Sequence, residues 1–202
     1  EEHKSHVKAV HEYLNEKAIP QVLELIEKYD PAIIWFDTCS WAPPEENVRV
    51  LKTARSAKPD LVVSSRVMRT GSQGHYGDYN STADKPAEFP PQEGDWEGIP
   101  TTNDSYGYHR MDKNYKPASH FVRLLIKAVG RGGNLLMNVG PRGDGKIDEP
   151  DVKILRGIGD WMQVNGESIH GAGRTPLPVQ AWGQSTRKGN TLYLHVFEWP
   201  EN

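Results

Sequence analysis

The stretch Asp30-Pro31-Ala32-Ile33-Ile34-Trp35-Phe36-Asp37 restricts the folds open to this chain more than any other. Asp-Pro breaks a helix, a run apolar at every position follows, and the run stops at a carboxylate. A strand with one wet face would alternate. A run apolar throughout reads as a strand covered on both faces, as in a parallel α/β sheet flanked by helices. In such sheets chemistry sits beyond the carboxyl ends of the strands. Two roles therefore fit Asp37: a cap on the segment that follows, or an acid delivered to a cleft.

The flanks extend the pattern. Upstream, Val7, Val10, Tyr13 and Leu14 make an apolar helical face that Val22, Leu23, Leu25 and Ile26 continue. Pro20 between them is either the first turn of a second helix or a kink. Downstream, Pro43-Pro44 opens a polar helix over 45–57. A Lys58-Pro59-Asp60 turn then leads to a second short strand over 61–65, which delivers Arg66. Alternating helix and strand is the βα repeat of a parallel sheet. From 68 to 115 periodicity gives way to Gly, Pro, acids and aromatics, among them Asp78, Asp84, Glu88, Glu93, Asp95, Trp96, Glu97, Tyr106 and Tyr108. Long stretches of this kind inside a compact domain are usually binding or catalytic loops, here with one short strand near 100–103. A helix through Phe121, Val122, Leu124, Leu125, Ala128 and Val129 follows, then a buried strand over 134–141. The next helix runs through Val152, Ile154, Leu155, Ile158, Trp161 and Met162. Beyond 166 short extended runs such as 192–197 open a β-rich region. Three or four strands, each with its helix, make only half of an eight-stranded barrel of about 250 residues, so the chain reads as a piece of a longer protein.

Composition removes several function classes. A net charge of −3 gives no electrostatic reason to expect a nucleic-acid or anionic-membrane partner. The single cysteine, Cys39, excludes an internal disulfide framework and a cysteine zinc cluster, and reads as a packed thiol. No apolar stretch is long enough to span a bilayer. Six Trp and eight Tyr suit a sugar cleft, although cores use aromatics too. Gly130-Arg131-Gly132-Gly133 follows a helix and precedes a strand, the reverse of a phosphate cradle. Asp144, Asp148, Glu149 and Asp151 lack calcium-loop spacing and read as solvated turn acids. Asn80-Ser81-Thr82 and Asn103-Asp104-Ser105 fit the glycosylation pattern, but both fall within the expected cleft. Neither a G-x-S-x-G elbow nor an H-E-x-x-H helix occurs.

An ordered set of segments resembles the α-L-fucosidases of glycoside hydrolase family 29. It comprises Trp35-Phe36-Asp37, Ser65-Arg66, Gly77-Asp78-Tyr79, Trp96-Glu97 and Thr102-Asn103-Asp104-Ser105-Tyr106-Gly107-Tyr108. Further on come Gly132-Gly133-Asn134-Leu135-Leu136-Met137-Asn138-Val139-Gly140-Pro141 with Asp144-Gly145, and Val164-Asn165-Gly166-Glu167-Ser168-Ile169-His170. The resemblance covers roughly residues 13 to 170 and implies an α/β fold. Residues 1–171 would be the second half of a (β/α)8-like TIM barrel, and 172–202 the start of a C-terminal β-sandwich. It implies hydrolysis of terminal α-L-fucose with retention, from a fucosylated glycan or oligosaccharide, without metal or organic cofactor. The missing N-terminal half of the barrel would be needed. Asp37 matches the nucleophile. Trp35, Arg66, Tyr79 and Trp96 are the expected sugar-binding side chains. The acid/base falls on a variable loop, with Asp84 favoured and Glu97 the alternative. The family's compartments are lysosomal, periplasmic or extracellular. Read without the family, Trp35 also fits a core and Arg66 a structural ion pair. A catalytically silent fucose-binding barrel and a retaining glycosidase for another sugar are the competing functions.

Overall fold

The computed structural model describes residues 2–68, 76–89 and 92–199, with side chains of 2–5 and of Cys39 excluded, so the packed-thiol expectation lies outside the described residues. The chain divides into two compact units, Glu1–Ser81 and Thr82–Asn202.

In the first unit α1 (Glu2–Tyr13) runs through a π-helical segment, Leu14–Ala18, into α2 (Ile19–Tyr29). Pro20 explains the wider turn. A proline inside an α-helix lacks an N–H and crowds the carbonyl four residues back. Here Ile19 N–H instead bonds Leu14 O, five residues back, so the helix continues without a break. Asp30 ends α2 in the left-handed region at φ 43°, its N–H on Ile26 O. Then β1 (Ile33–Ile34) pairs in parallel with β2 (Val62–Val63), with α3 (Pro44–Ala57) between them as the crossover. Ile26, Leu51, Ala54, Leu61, Val63 and Val67 form the core, and Ile34 and Phe36 pack against it.

The expected five-residue strand covered on both faces is not what forms. The ladder holds only Ile33 and Ile34, and Ile33 is 53% exposed. Ile34 packs on the core that α2 and α3 supply, while Ile33 on the opposite face is open.

The second unit begins within β3 (Asn80–Asp84), which with β4 (Trp96–Ile99) and β5 (Asn134–Leu135) makes a sheet in the order β3-β4-β5. β4 and β5 are parallel, joined through α4 (Ala118–Gly130). The unstructured stretch from 68 to 115 thus contains two strands where one was expected, and the strand placed near 100–103 lies earlier. Thr101 makes only an isolated parallel bridge to Asn138. The register carries on past β5, with Leu136 N–H on Gly98 O and Asn138 N–H on Pro100 O. Phe89, Trp96, Phe121, Leu124, Ala128 and Ile154 fill the space between sheet, α4 and α5 (Glu149–Asn165). Asp151, expected as a solvated acid, is only 2% exposed. The antiparallel hairpin β6 (Gly183–Lys188) and β7 (Thr191–Val196) turns at Gly189 and lies against α4, where Gly130 leaves room for the Ser185 carbonyl. Among the described residues no helix is long and apolar enough to cross a membrane.

Candidate active site

Side chains alternate along an extended run. Because Ile34 and Phe36 face the first unit's core, Trp35 and Asp37 face the other way. Arg66 meets them there. It lies in a single helical turn, Ser65–Val67, directly after β2, and its Nη1 donates to Asp37 Oδ1 at 2.9 Å. The guanidinium carbon also stands 5.0 Å from the centroid of the Trp35 ring. Arg66 is nearly enclosed, its side chain 12% exposed, whereas that of Asp37 is 54% exposed. Aromatic face and buried cation fix one another, and the carboxylate is left open to solvent.

Partial burial alone would raise the Asp37 carboxyl. The hydrogen bond from Arg66, the Thr38 N–H and the nearby guanidinium charge outweigh it and hold the group below its ordinary value. Thr38 adopts φ 61°, which costs a β-branched residue about 1–3 kcal/mol. Its carbonyl accepts the Trp41 N–H at 3.1 Å, so a tight turn bends the chain immediately after the carboxylate. A cleft of about 450 Å³ opens here, lined by Asp37, Thr38, Ser40, Asn47, Arg66 and Met68.

The Gly77-Asp78-Tyr79 segment supports this end of β2. Asp78 N–H donates to Val63 O at 2.8 Å, its Oδ2 accepts the Val63 N–H at 2.7 Å, and Arg55 bonds its Oδ1 at 2.7 Å. Tyr79 O accepts the Ser65 N–H at 2.9 Å, one residue before Arg66. Gly77 is required by proximity, since a Cβ there would lie 2.5 Å from the Ser64 carbonyl and the Ser65 nitrogen.

The remaining candidates lie in the second unit. Asp84 ends β3 and is exposed. The next residue, Lys85, takes φ 50° and donates its N–H to Tyr106 Oη at 2.7 Å, while that hydroxyl donates to Ile99 O at 2.6 Å. Asp84 therefore precedes a clamped turn. Glu97, in β4 opposite Asn134, is 8% exposed and, by alternation, faces away from Trp96.

Trp96 corrects the sequence reading. It is fully buried with its ring centroid 5.2 Å from that of Phe89, and Gly133 packs so closely that a Cβ there would stand 2.2 Å from the indole. A side chain so enclosed offers no face to a sugar, so Trp96 is a core residue of this unit. Asn103 is 6% exposed with Oδ1 accepting the Ser105 N–H, and Ser81 is 2% exposed, so both glycosylation patterns are built into structure.

Three residues escaped sequence reading. Thr38 and Asn47 carry no motif. Asn138, whose amide donates to Thr101 Oγ1 at 3.0 Å and Tyr106 O at 2.7 Å, does leave a signal: a lone amide inside an apolar run. It ties the strand end to the 101–106 turn.

A family model described as Alpha-L-fucosidase matches residues 1–167. The plasma alpha-L-fucosidase of Rattus norvegicus is 31% identical over 198 residues, covering 91% of this chain and 43% of the rat protein. The crystal structure of alpha-L-fucosidase from Vibrio sp. strain EJY3 is similar with a TM-score of 0.84 and 36% identity, over 94% of this chain and 34% of that one. The Thermotoga maritima alpha-fucosidase in complex with fucose gives 0.70 and 26%, over 87% and 40%. This chain spans less than half the length of these relatives.

Proposed function

The chain belongs to the α-L-fucosidase family, glycoside hydrolase family 29, and from that premise we propose that the whole protein is a retaining exo-α-L-fucosidase with Asp37 as its nucleophile. The observation that carries the reading is the Asp37–Arg66 contact of 2.9 Å at the mouth of the cleft. A nucleophilic carboxylate must be ionised and reachable at once. Arg66 supplies the first condition and the exposure of Asp37 the second. The Thermotoga relative binds fucose, which supports a terminal fucose as the sugar taken here.

In the first step an Asp37 oxygen attacks the anomeric carbon while the bond to the leaving oxygen breaks and that oxygen takes a proton from the acid/base. In the second, the same group removes a proton from water, which attacks the anomeric carbon and releases Asp37. Two inversions give net retention. This requires the two carboxyl groups about 5–5.5 Å apart across the sugar. We assign the acid/base to Asp84, since an exposed acid at a clamped strand end suits a partner that changes with the aglycone, with Glu97 as the alternative. Trp35, Arg66 and Tyr79 line the fucose side. Residues 1–171 are proposed as part of a (β/α)8-like barrel and 172–202 as the opening of a β-rich domain. The family match ending at 167 and the hairpin at β6 and β7 support that boundary.

The test uses the full-length protein with an aryl α-L-fucoside. Asp37→Gly should lose at least about a thousandfold in kcat, and added azide should restore turnover as a fucosyl azide of inverted configuration. Asp84→Ala should cost most with poorly leaving aglycones. Full activity in Asp37→Gly would end the proposal. An equal response to every leaving group in Asp84→Ala would move the acid/base role to Glu97.

A further inference from the structure

A second cavity in the second unit carries its own set of partners. Between α4, α5 and β7 runs a groove of about 480 Å³, lined by Ser119 and Arg123 from α4, Trp161 and Asn165 from α5, and His195 and Phe197 at the β7 end. That volume is within the range of small-molecule sites. None of these residues lines the cleft at Asp37.

The hydrogen-bonding state of the groove follows from a buried hydroxyl. Thr186 is wholly buried, and its single hydroxyl proton goes to Ser168 O at 2.7 Å. At 3.2 Å it must then accept from His195 Nε2–H, because a hydroxyl has one proton to give. His195 is thus fixed in one tautomer, with Nδ1 a bare acceptor without a partner among the described residues. Burial also disfavours the charged imidazole, so the ring stays neutral. Beside it, with ring centroids 6.1 Å apart, lies Trp161, whose indole N–H has no acceptor among the described residues. Asn165 donates its amide to Trp161 O at 3.0 Å, which leaves its oxygen as an acceptor. The nearby cations are already engaged: Arg123 donates to Phe197 O at 2.8 Å, covers the Phe197 ring at 5.3 Å and faces Glu198 at 4.0 Å, and Lys127, 5.9 Å from the same ring, is paired with Glu88.

The groove therefore offers an aromatic surface beside several uncharged donors and acceptors, with cations whose charge is balanced nearby. Among the described residues an anion would find no unpaired positive charge lining the groove, and a purely apolar ligand would strand the indole N–H and the imidazole nitrogen. A pyranose fits both demands, with C–H faces for the indole and hydroxyls that donate and accept. We propose that this groove is a carbohydrate-binding site for a neutral pyranose, separate from the residues proposed for hydrolysis. Its ligand would be a sugar of the chain that bears the fucose, and only that choice of ligand rests on the proposed function.

Lactose is the probe, since it has no fucose. Titrated into the full-length protein to about 10 mM, it should quench tryptophan fluorescence and give a saturable calorimetric signal. Trp161→Ala should weaken it by at least about tenfold, and Trp161→Phe, which keeps an aromatic face, by less. His195→Phe keeps a ring but removes Nδ1, and should weaken lactose in the same sense, while hydrolysis of a small aryl fucoside stays at the parent rate in each. That last readout separates the two proposals, since loss of hydrolysis in the parent would leave lactose binding intact. No saturable binding of lactose by the parent would overturn the assignment. So would an unchanged affinity in both Trp161→Ala and His195→Phe.

Discussion

Gly77→Ala tests whether the end of β2 holds Arg66 in place. The added methyl carbon would stand 2.5 Å from the Ser64 carbonyl carbon and oxygen and from Ser65 N, all backbone atoms that no rotamer change can move. Restoring ordinary contact requires a shift of about 1 Å in one of the two segments. The hydrogen bonds between them, Asp78 N–H to Val63 O at 2.8 Å and Ser65 N–H to Tyr79 O at 2.9 Å, have no slack for such a shift. Two lost bonds at about 1 kcal/mol each, with residual overpacking of about 1–2 kcal/mol, put the cost near 3–4 kcal/mol. The same displacement acts on the neighbouring Arg66, whose hold on Asp37 depends on a contact of 2.9 Å. Misplacement by about 1 Å costs on the order of a hundredfold in rate.

Two measurements are needed on the full-length protein: urea unfolding, and kcat/KM for an aryl fucoside at a temperature where the variant remains folded. The expected result is a large fall in both. A variant with parental stability would refute the close-approach argument. A destabilised variant with parental kcat/KM would show that Arg66 is held by something other than this strand end.

Gly159→Ala serves as the opposite case. Gly159 is exposed in the interior of α5 with nothing within 4 Å of its would-be Cβ, so Ala should stabilise by about 0.5–1 kcal/mol in the same urea assay, and a loss would contradict that open surface. Glu88 gives a pH signature. Burial would raise its carboxyl, but Arg131 at 2.7 Å, Lys127 and the Phe89 N–H at 3.0 Å outweigh it and lower the group from 4.5 to about 2. A depressed carboxylate stabilises fully above its unfolded value and progressively less as pH falls through its folded one. Relative to Glu88→Gln, the parent should therefore hold an advantage at neutral pH, of about 1 kcal/mol for so exposed a pair. The advantage should shrink below pH 4.5 and vanish near pH 2, and a gap constant with pH would refute the ion-pair account.

The helices and the βα order were legible because amphipathic periodicity is local: α4 and α5 lie where their apolar positions put them. The face that Asp37 shares with Trp35 follows from alternation along an extended run, but a run apolar at every position read as covered on both sides and so hid which side is open. β3 was hidden because Asn80-Ser81-Thr82-Ala83-Asp84 has neither an apolar run nor an alternation, and its pairing comes from its neighbours. Trp96 shows the same limit from the other side. A tryptophan beside a candidate acid reads as a sugar platform until Gly133 and Phe89 are seen to enclose it.

In sequence Asp78, Asp84, Glu88, Glu97, Asp104 and Asp112 are equivalent carboxylates among aromatics. For four of them the structure shows what the oxygens accept. Asp78 binds the Val63 N–H and Arg55, Glu88 binds Arg131 and Lys127, and Asp104 binds Lys116 and Asn114. Asp112 takes the Asp104 N–H and the Ser105 hydroxyl. A carboxylate held by two strong donors pays twice to take up a proton, once for each bond it gives up, so these four are poor choices for a group that must hold a proton and release it in turn. The proposed acid/base remains Asp84, with Glu97 as the alternative. Asp84 stands at an exposed strand end, where an acid could reach a changing aglycone, whereas Glu97 in β4 is buried, so sensitivity to the leaving group is the property that would tell them apart.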